Sequence, residues 1–218
     1  AEHDRIVKIA QVSGRPITYS LVQFNSDEDD WSMMIAESER AVAAGLPITP
    51  QVGARSVGAL TTLDGNHIFM LRPSYVEVAH LPLAERLTQL RDPARRAAIL
   101  SERSDPAVVA ANTQLGDFIE MLTGRIGGIF PMSLPLDYEP APEARLEVLA
   151  QQAGKTQEEY LYDHYTAGDG TNVCASHMLN FVGGGLDGSY EMLKNDITAS
   201  GLADGGAQLG DRLLNVGA

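Results

Sequence analysis

Along the first fifty residues the apolar positions switch between helical and strand spacing. Ile6, Ile9 and Ala10 recur at helical intervals, and Gly14 follows where a left-handed cap belongs, so the chain is expected to begin in a helix. Pro16 to Phe24 (Pro-Ile-Thr-Tyr-Ser-Leu-Val-Gln-Phe) has the composition of a buried strand, and the acidic turn Asp27 to Asp30 suits the positive end of a following helix. In that helix Trp31, Met34, Ile35, Ser38 and Val42 share one face, Gly45 caps it, and Leu46 to Val52 opens the next strand. Strand, crossover helix, strand is the unit of a parallel sheet, which binds ligands beyond the C-terminal ends of its strands.

The middle of the chain leaves this rhythm. Asp64 to Tyr75 is turn-rich, and three helical stretches follow, opened by Leu81-Pro82, Asp92-Pro93 and Asp105-Pro106. An aspartate before a proline places an N-cap ahead of the one helical position that tolerates a missing N–H. The expectation is a helical insertion at about 76–124. An apolar segment, Ile126 to Leu134, precedes the proline-rich connector Pro135 to Pro142 and a helix from about Glu143 to Ala153, ended by Gly154. Thr156 and Glu159 form a capping box for another helix. A last helix near Leu186 to Lys194 leads into a short apolar run that delivers Asp204 into an Asp-Gly-Gly turn. With no internal repeat and no domain linker, the reading is a single α/β domain over residues 1–218.

Composition narrows the function classes. At 218 residues, 44% hydrophobic and 21% charged, the chain can bury a sizeable core, which argues against disorder. A formal net charge of −13, with no basic cluster interleaved with aromatics, argues against nucleic acid and anionic membrane surfaces as partners. One cysteine, Cys174, excludes an internal disulfide framework, so a cytoplasmic setting is expected. No apolar run reaches the roughly 20 residues of a membrane helix, and the start Ala1-Glu2-His3-Asp4-Arg5 lacks a signal peptide's core. Because the first residue is not methionine and lies within a helical pattern, residues preceding Ala1 are expected.

Asp204 is the sharpest candidate for chemistry, since glycines beside a carboxylate let backbone and ligand approach closely. The same Asp-Gly-Gly also reads as plain turn chemistry. His67, after the Gly65-Asn66 turn, has a loop position from which it could reach a pocket, or it packs. Arg55 and Arg72 could clamp a substrate carboxylate, or serve in ordinary ion pairs, and Tyr75 is equally open. Cys174 and His177 lie three apart, but two ligands do not make a structural zinc site. His164 reads as structural, whereas His3 and His80 carry no signal. Gly183-Gly184-Gly185 lacks the lysine of a phosphate loop, and no Gly-x-Ser-x-Gly elbow exists.

Four ordered segments carry a resemblance. They are Ala43-Ala44-Gly45-Leu46-Pro47-Ile48-Thr49-Pro50-Gln51-Val52 with Arg55; His67-Ile68-Phe69 leading to Arg72-Pro73-Ser74-Tyr75; Leu81-Pro82-Leu83-Ala84-Glu85-Arg86 continuing to Leu90-Arg91-Asp92-Pro93; and Gly201-Leu202-Ala203-Asp204-Gly205-Gly206-Ala207. In sequence and order, over about residues 1 to 210, the chain resembles the later part of the N-acyl-D-amino-acid deacylase group of the metal-dependent amidohydrolases. The resemblance implies part of a TIM-like (β/α)8 barrel, zinc or another divalent metal, and hydrolysis of a small amide substrate. Asp204 then takes the position of the family's general base at the metal, with Arg55, His67, Arg72 and Tyr75 as candidate substrate contacts.

The chain also departs from that family. It has no His-x-His pair, the strand Pro16 to Phe24 offers Ser20 and Gln23 but no histidine, and Gln208 stands where the family usually shows histidine. A full barrel takes about 250 residues and about four strands are counted here, so the earlier strands are expected upstream of Ala1. A half barrel exposes strand edges, and self-association or pairing with the rest of the barrel is expected. The alternative is a non-catalytic fragment or degenerate relative that binds a small ligand or a partner chain.

Overall fold

The computed structural model describes residues 2–24, 30–132, 135 and 137–201. Among them the elements are α1 (Glu2–Ser13), β1 (Ile17–Leu21), α2 (Asp30–Ala43), β2 (Ile48–Val52), β3 (Val57–Thr62), α3 (Pro73–Ala79), α4 (Leu83–Leu90), α5 (Pro93–Ser101), α6 (Pro106–Ala111), α7 (Thr113–Gly124), β4 (Ile129–Pro131), α8 (Leu146–Gln152), α9 (Gln157–Thr166), β5 (Val173–Leu179), α10 (Asp187–Leu193) and β6 (Ala199–Ser200). The fold is α/β. Backbone contacts divide the described residues into two compact units, 2–58 with 177–201, and 59–176.

The first unit holds a parallel sheet in the order β1-β2-β6. Ile17 to Leu21 lie beside Ile48 to Val52 in parallel register, and β6 pairs only with Gln51 and Val52. That short overlap explains Pro50 in a central strand: opposite Pro50 the β6 side of the ladder is open, so the missing N–H leaves no broken bond. Ladder pairing continues past β6, because the Gly201 N–H donates to the Val52 carbonyl at 2.9 Å. A Cβ on Gly201 would lie 2.7 Å from that of Gln51, so only glycine fits there.

Helices α1 and α2 cover this sheet. Ala10, Ala41 and Ile48 form one buried cluster, and Leu21, Ile35, Val52 and Met192 another, flanked by Trp31 and Met34. Full burial of each such aliphatic side chain is worth about 1.5–3 kcal/mol. Two expected core positions differ: Ile9 is 55% exposed and Val42 36% exposed, while Ala10 and Ala41, one position away on each helix, take the buried places. Small residues at the contact let the helices lie close to the strands.

The helical insertion lies in the second unit, and a second sheet has the order β3-β5-β4. Here β4 and β5 are antiparallel, with Phe130 opposite Ala175, which departs from the expected parallel arrangement. The starts at α5 and α6 follow the Asp-Pro signals: Asp92 accepts from the Ala94 and Arg95 N–H groups and Asp105 from Ala107. Thr156 and Glu159 close a reciprocal capping box on α9. The helix expected from about Glu143 is split, because extended Arg145 separates a 3-10 turn at Pro142–Ala144 from α8. No helix among the described residues is long and apolar enough to cross a membrane.

Candidate functional site

Asp204 lies outside the described residues, as does Gln208. What the structure does give is the approach to it: β6 ends at Ser200, beside the C-terminal end of β2, with Asp204 four residues further on in sequence. The loops leaving β1 and β2 carry the other polar groups at this edge of the first unit. After β1, the Gln23 N–H donates to Asn180 Oδ1 at 2.7 Å, and the Asn180 N–H donates back to the Gln23 carbonyl at 2.9 Å. Asn180 holds this pairing with φ at +57°, the only non-glycine residue with positive φ among the described residues. Beyond β2, Ser56 Oγ lies 2.7 Å from His177 Nδ1, and the His177 ring stacks on Phe181 with centroids 4.0 Å apart. Burial lowers the His177 pKa, so its imidazole is neutral at pH 7.

Arg55 is exposed, in the connection that follows β2. The other three expected substrate contacts fall in the second unit, and they come together inside its core. His67 is fully buried, and its ring meets Tyr75 edge-on with centroids 4.7 Å apart and tilts against Tyr165 at 5.7 Å. Its Nδ1 accepts from the Phe69 N–H at 3.2 Å, which leaves the proton on Nε2. Burial, then the charges of Arg86 and Arg72, push the His67 pKa down to about 3. Tyr75 donates to the Leu63 carbonyl at 3.1 Å, and burial raises its hydroxyl pKa to about 12. Arg72 donates to the Ile99 carbonyl and to Glu158 Oε2, both at 2.8 Å, with its side chain 3% exposed. These groups act as core polar contacts. The loop position expected for His67 is occupied, but Ile68, Phe69 and Leu71 carry it into the interior.

Cys174 and His177 share β5, yet a spacing of three puts them on opposite faces of a strand. Cys174 is fully buried, and burial lifts its thiol pKa to about 12. Among the described residues no three histidine, cysteine, aspartate or glutamate side chains gather in a way that could hold a metal ion. The described side chains therefore do not supply a ligand set for zinc.

Sequence reading assigned His3 no role, but it is 4% exposed and central to a polar chain. Its Nδ1 lies 3.1 Å from Glu37 Oε2, its Nε2 lies 3.0 Å from Ser38 Oγ, and Ser38 Oγ lies 2.9 Å from Tyr19 Oη. The order carboxylate, imidazole, serine matches a nucleophilic triad, but Ser38 is fully buried within α2, where no substrate reaches it. The chain instead ties α1 and α2 to β1. Ser38 on the apolar face of α2 was the available hint. Asn180 and the Ser56–His177 pair were not singled out, because each depends on partners more than 100 positions away.

Searches against protein-family models, curated proteins and solved structures find no match to this chain.

Proposed function

We propose that this chain is the later part of a metal-dependent amidohydrolase of the N-acyl-D-amino-acid deacylase type, hydrolysing the amide bond of an N-acyl amino acid or a similar small substrate. The observation that carries the reading is the parallel ladder β1-β2-β6, continued by the Gly201–Val52 bond, which brings the chain to the strands' C-terminal edge shortly before Asp204. That edge is where parallel α/β folds and barrels perform chemistry. The first unit then represents part of a (β/α)8 barrel. Asp204 takes a proton from the attacking water, the water oxygen adds to the amide carbon, and the proton passes to the departing nitrogen as the C–N bond breaks. The family's metal would be held by residues other than those described and would supply an activated water.

A second reading has its own support. Arg72, the candidate carboxylate clamp, is committed to Glu158 and Ile99, and His67 and Tyr75 are sealed beside it, as in a domain whose buried polar groups serve stability. On that reading the chain binds a small ligand or a partner chain without hydrolysing it. The deciding experiment measures hydrolysis of N-acyl amino acids with zinc supplied, together with metal bound per chain, for the unmutated protein and Asp204→Asn. Hydrolysis that falls at least 100-fold in D204N while its circular dichroism is unchanged supports the enzyme. No hydrolysis and no bound metal in the unmutated chain leaves the binding domain.

A further inference from the structure

We infer that the first unit has a binding site for a carbonyl or carboxylate oxygen of a small organic ligand, built from Asn180, Ser189 and Trp31 around Gln23. Asn180 is fully buried, and its orientation is set: Oδ1 accepts from the Gln23 N–H, so Nδ2 is identified as the other end of the amide, and Nδ2 has no partner. The backbone of Asn180 is held in the left-handed region by its bond to the Gln23 carbonyl, which prevents the side chain from relaxing toward another acceptor.

Ser189 is 2% exposed, and its Oγ likewise has no partner. Its neighbour Gly188 lies against Gln23, since a Cβ added there would sit 2.4 Å from Gln23 Oε1. Met192, one helical turn from Ser189 on the same face of α10, packs with Leu21 and Trp31, whose Nε1 is the third buried donor without a partner. Buried polar groups in native proteins are almost always hydrogen-bonded. The segments that carry these three orphaned donors meet just past the end of β1, Asn180 through the Gln23 backbone, the start of α10 through the Gln23 side chain and Trp31 through Met192, and they mark a place for an acceptor.

All three donors are neutral, and two of them, an amide NH2 and an indole N–H, can only donate. A cation is excluded and an oxygen on a carbonyl-type carbon fits, from either an amide or a carboxylate. This site involves neither Asp204 nor a metal, so it stands whether or not the chain hydrolyses amides.

The test uses the whole chain labelled with nitrogen-15 and titrated separately with acetamide and acetate. The readouts are the Asn180 side-chain NH2 pair, the Trp31 indole signal and the Ser189 backbone amide. Saturable shifts with a millimolar Kd are expected, with acetamide alone indicating an amide carbonyl and acetate alone a carboxylate. Asn180→Asp keeps the acceptor for Gln23 but removes the donor, and is expected to weaken binding more than tenfold; Ser189→Ala should weaken it about fivefold. No saturable shift with either probe, as when a long-lived water fills the site, overturns the inference. So does an unchanged Kd in folded N180D. Should N180D fail to fold, S189A decides: weaker binding supports the site, and an unchanged Kd overturns it.

Discussion

Arg72 Nη2 and Glu158 Oε2 meet at 2.8 Å with the arginine almost wholly enclosed, so a group expected at a substrate is committed instead to α9. Deleting one partner of such a pair leaves a charge without compensation. Glu158→Ala should lower stability by about 2–4 kcal/mol in urea unfolding, and Arg72→Met, which removes the buried charge, should cost less than Glu158→Ala. Equal stability of E158A and the parent would show that the pair contributes nothing to the fold.

The pH dependence of stability should carry the signature of His67. In the folded chain it stays neutral down to about pH 3, held there by burial and by the charges of Arg86 and Arg72, while in the unfolded chain it binds a proton near 6.5. The unfolded state therefore holds the extra proton between those values, and this residue's contribution makes stability fall as pH drops through that window. His67→Leu should flatten the slope by roughly one proton between pH 6 and 4, measured by urea midpoints at each pH. A slope identical in both proteins would assign the acid sensitivity to other groups.

Ser38→Ala should destabilise the first unit by about 1–3 kcal/mol, since it strands both His3 Nε2 and the Tyr19 hydroxyl at once. Thermal unfolding followed by the fluorescence of Trp31, in the same unit, reads the effect. A midpoint within error of the parent would mean that these groups find other partners.

Gly170 adopts φ +80°, and a Cβ there would lie 2.8 Å from Leu87 Cδ1, a fully packed core side chain. Gly170→Ala combines backbone strain with overpacking and should cost about 2–4 kcal/mol. By comparison Gly154→Ala, with φ +65° and open space around it, should cost only the strain, about 1–2 kcal/mol. Chemical denaturation of the two variants side by side separates the two effects, and equal losses would refute the packing argument.

The parts of this fold that were legible in advance are those whose determinants lie within a few residues. Asp92, Asp105 and Thr156 each bond to N–H groups two or three positions on, so their helix starts could be read directly. The left-handed turns at Gly14, Gly45 and Gly154 are equally local. Strands β3 and β5 were not anticipated, since a short run such as Val57–Thr62 has no signature apart from its neighbours in the sheet. His67 shows the limit most plainly. Gly65-Asn66-His67 has the composition of a surface turn, and it is contacts such as those with Tyr75 and Tyr165, the latter almost a hundred positions away, that make His67 a core residue. The polar contacts of the first unit are similarly non-local: Gln23 meets Asn180 across 157 positions.

Cys174 gives the protein a built-in clock. It is the chain's only thiol, it is fully enclosed beside Thr61 and Tyr165, and burial keeps it protonated well above neutral pH. A thiol reagent in solution can react only during moments when the second unit opens around β5. The labelling rate of the intact chain therefore counts those openings, one site per molecule, with no engineered probe and no competing background.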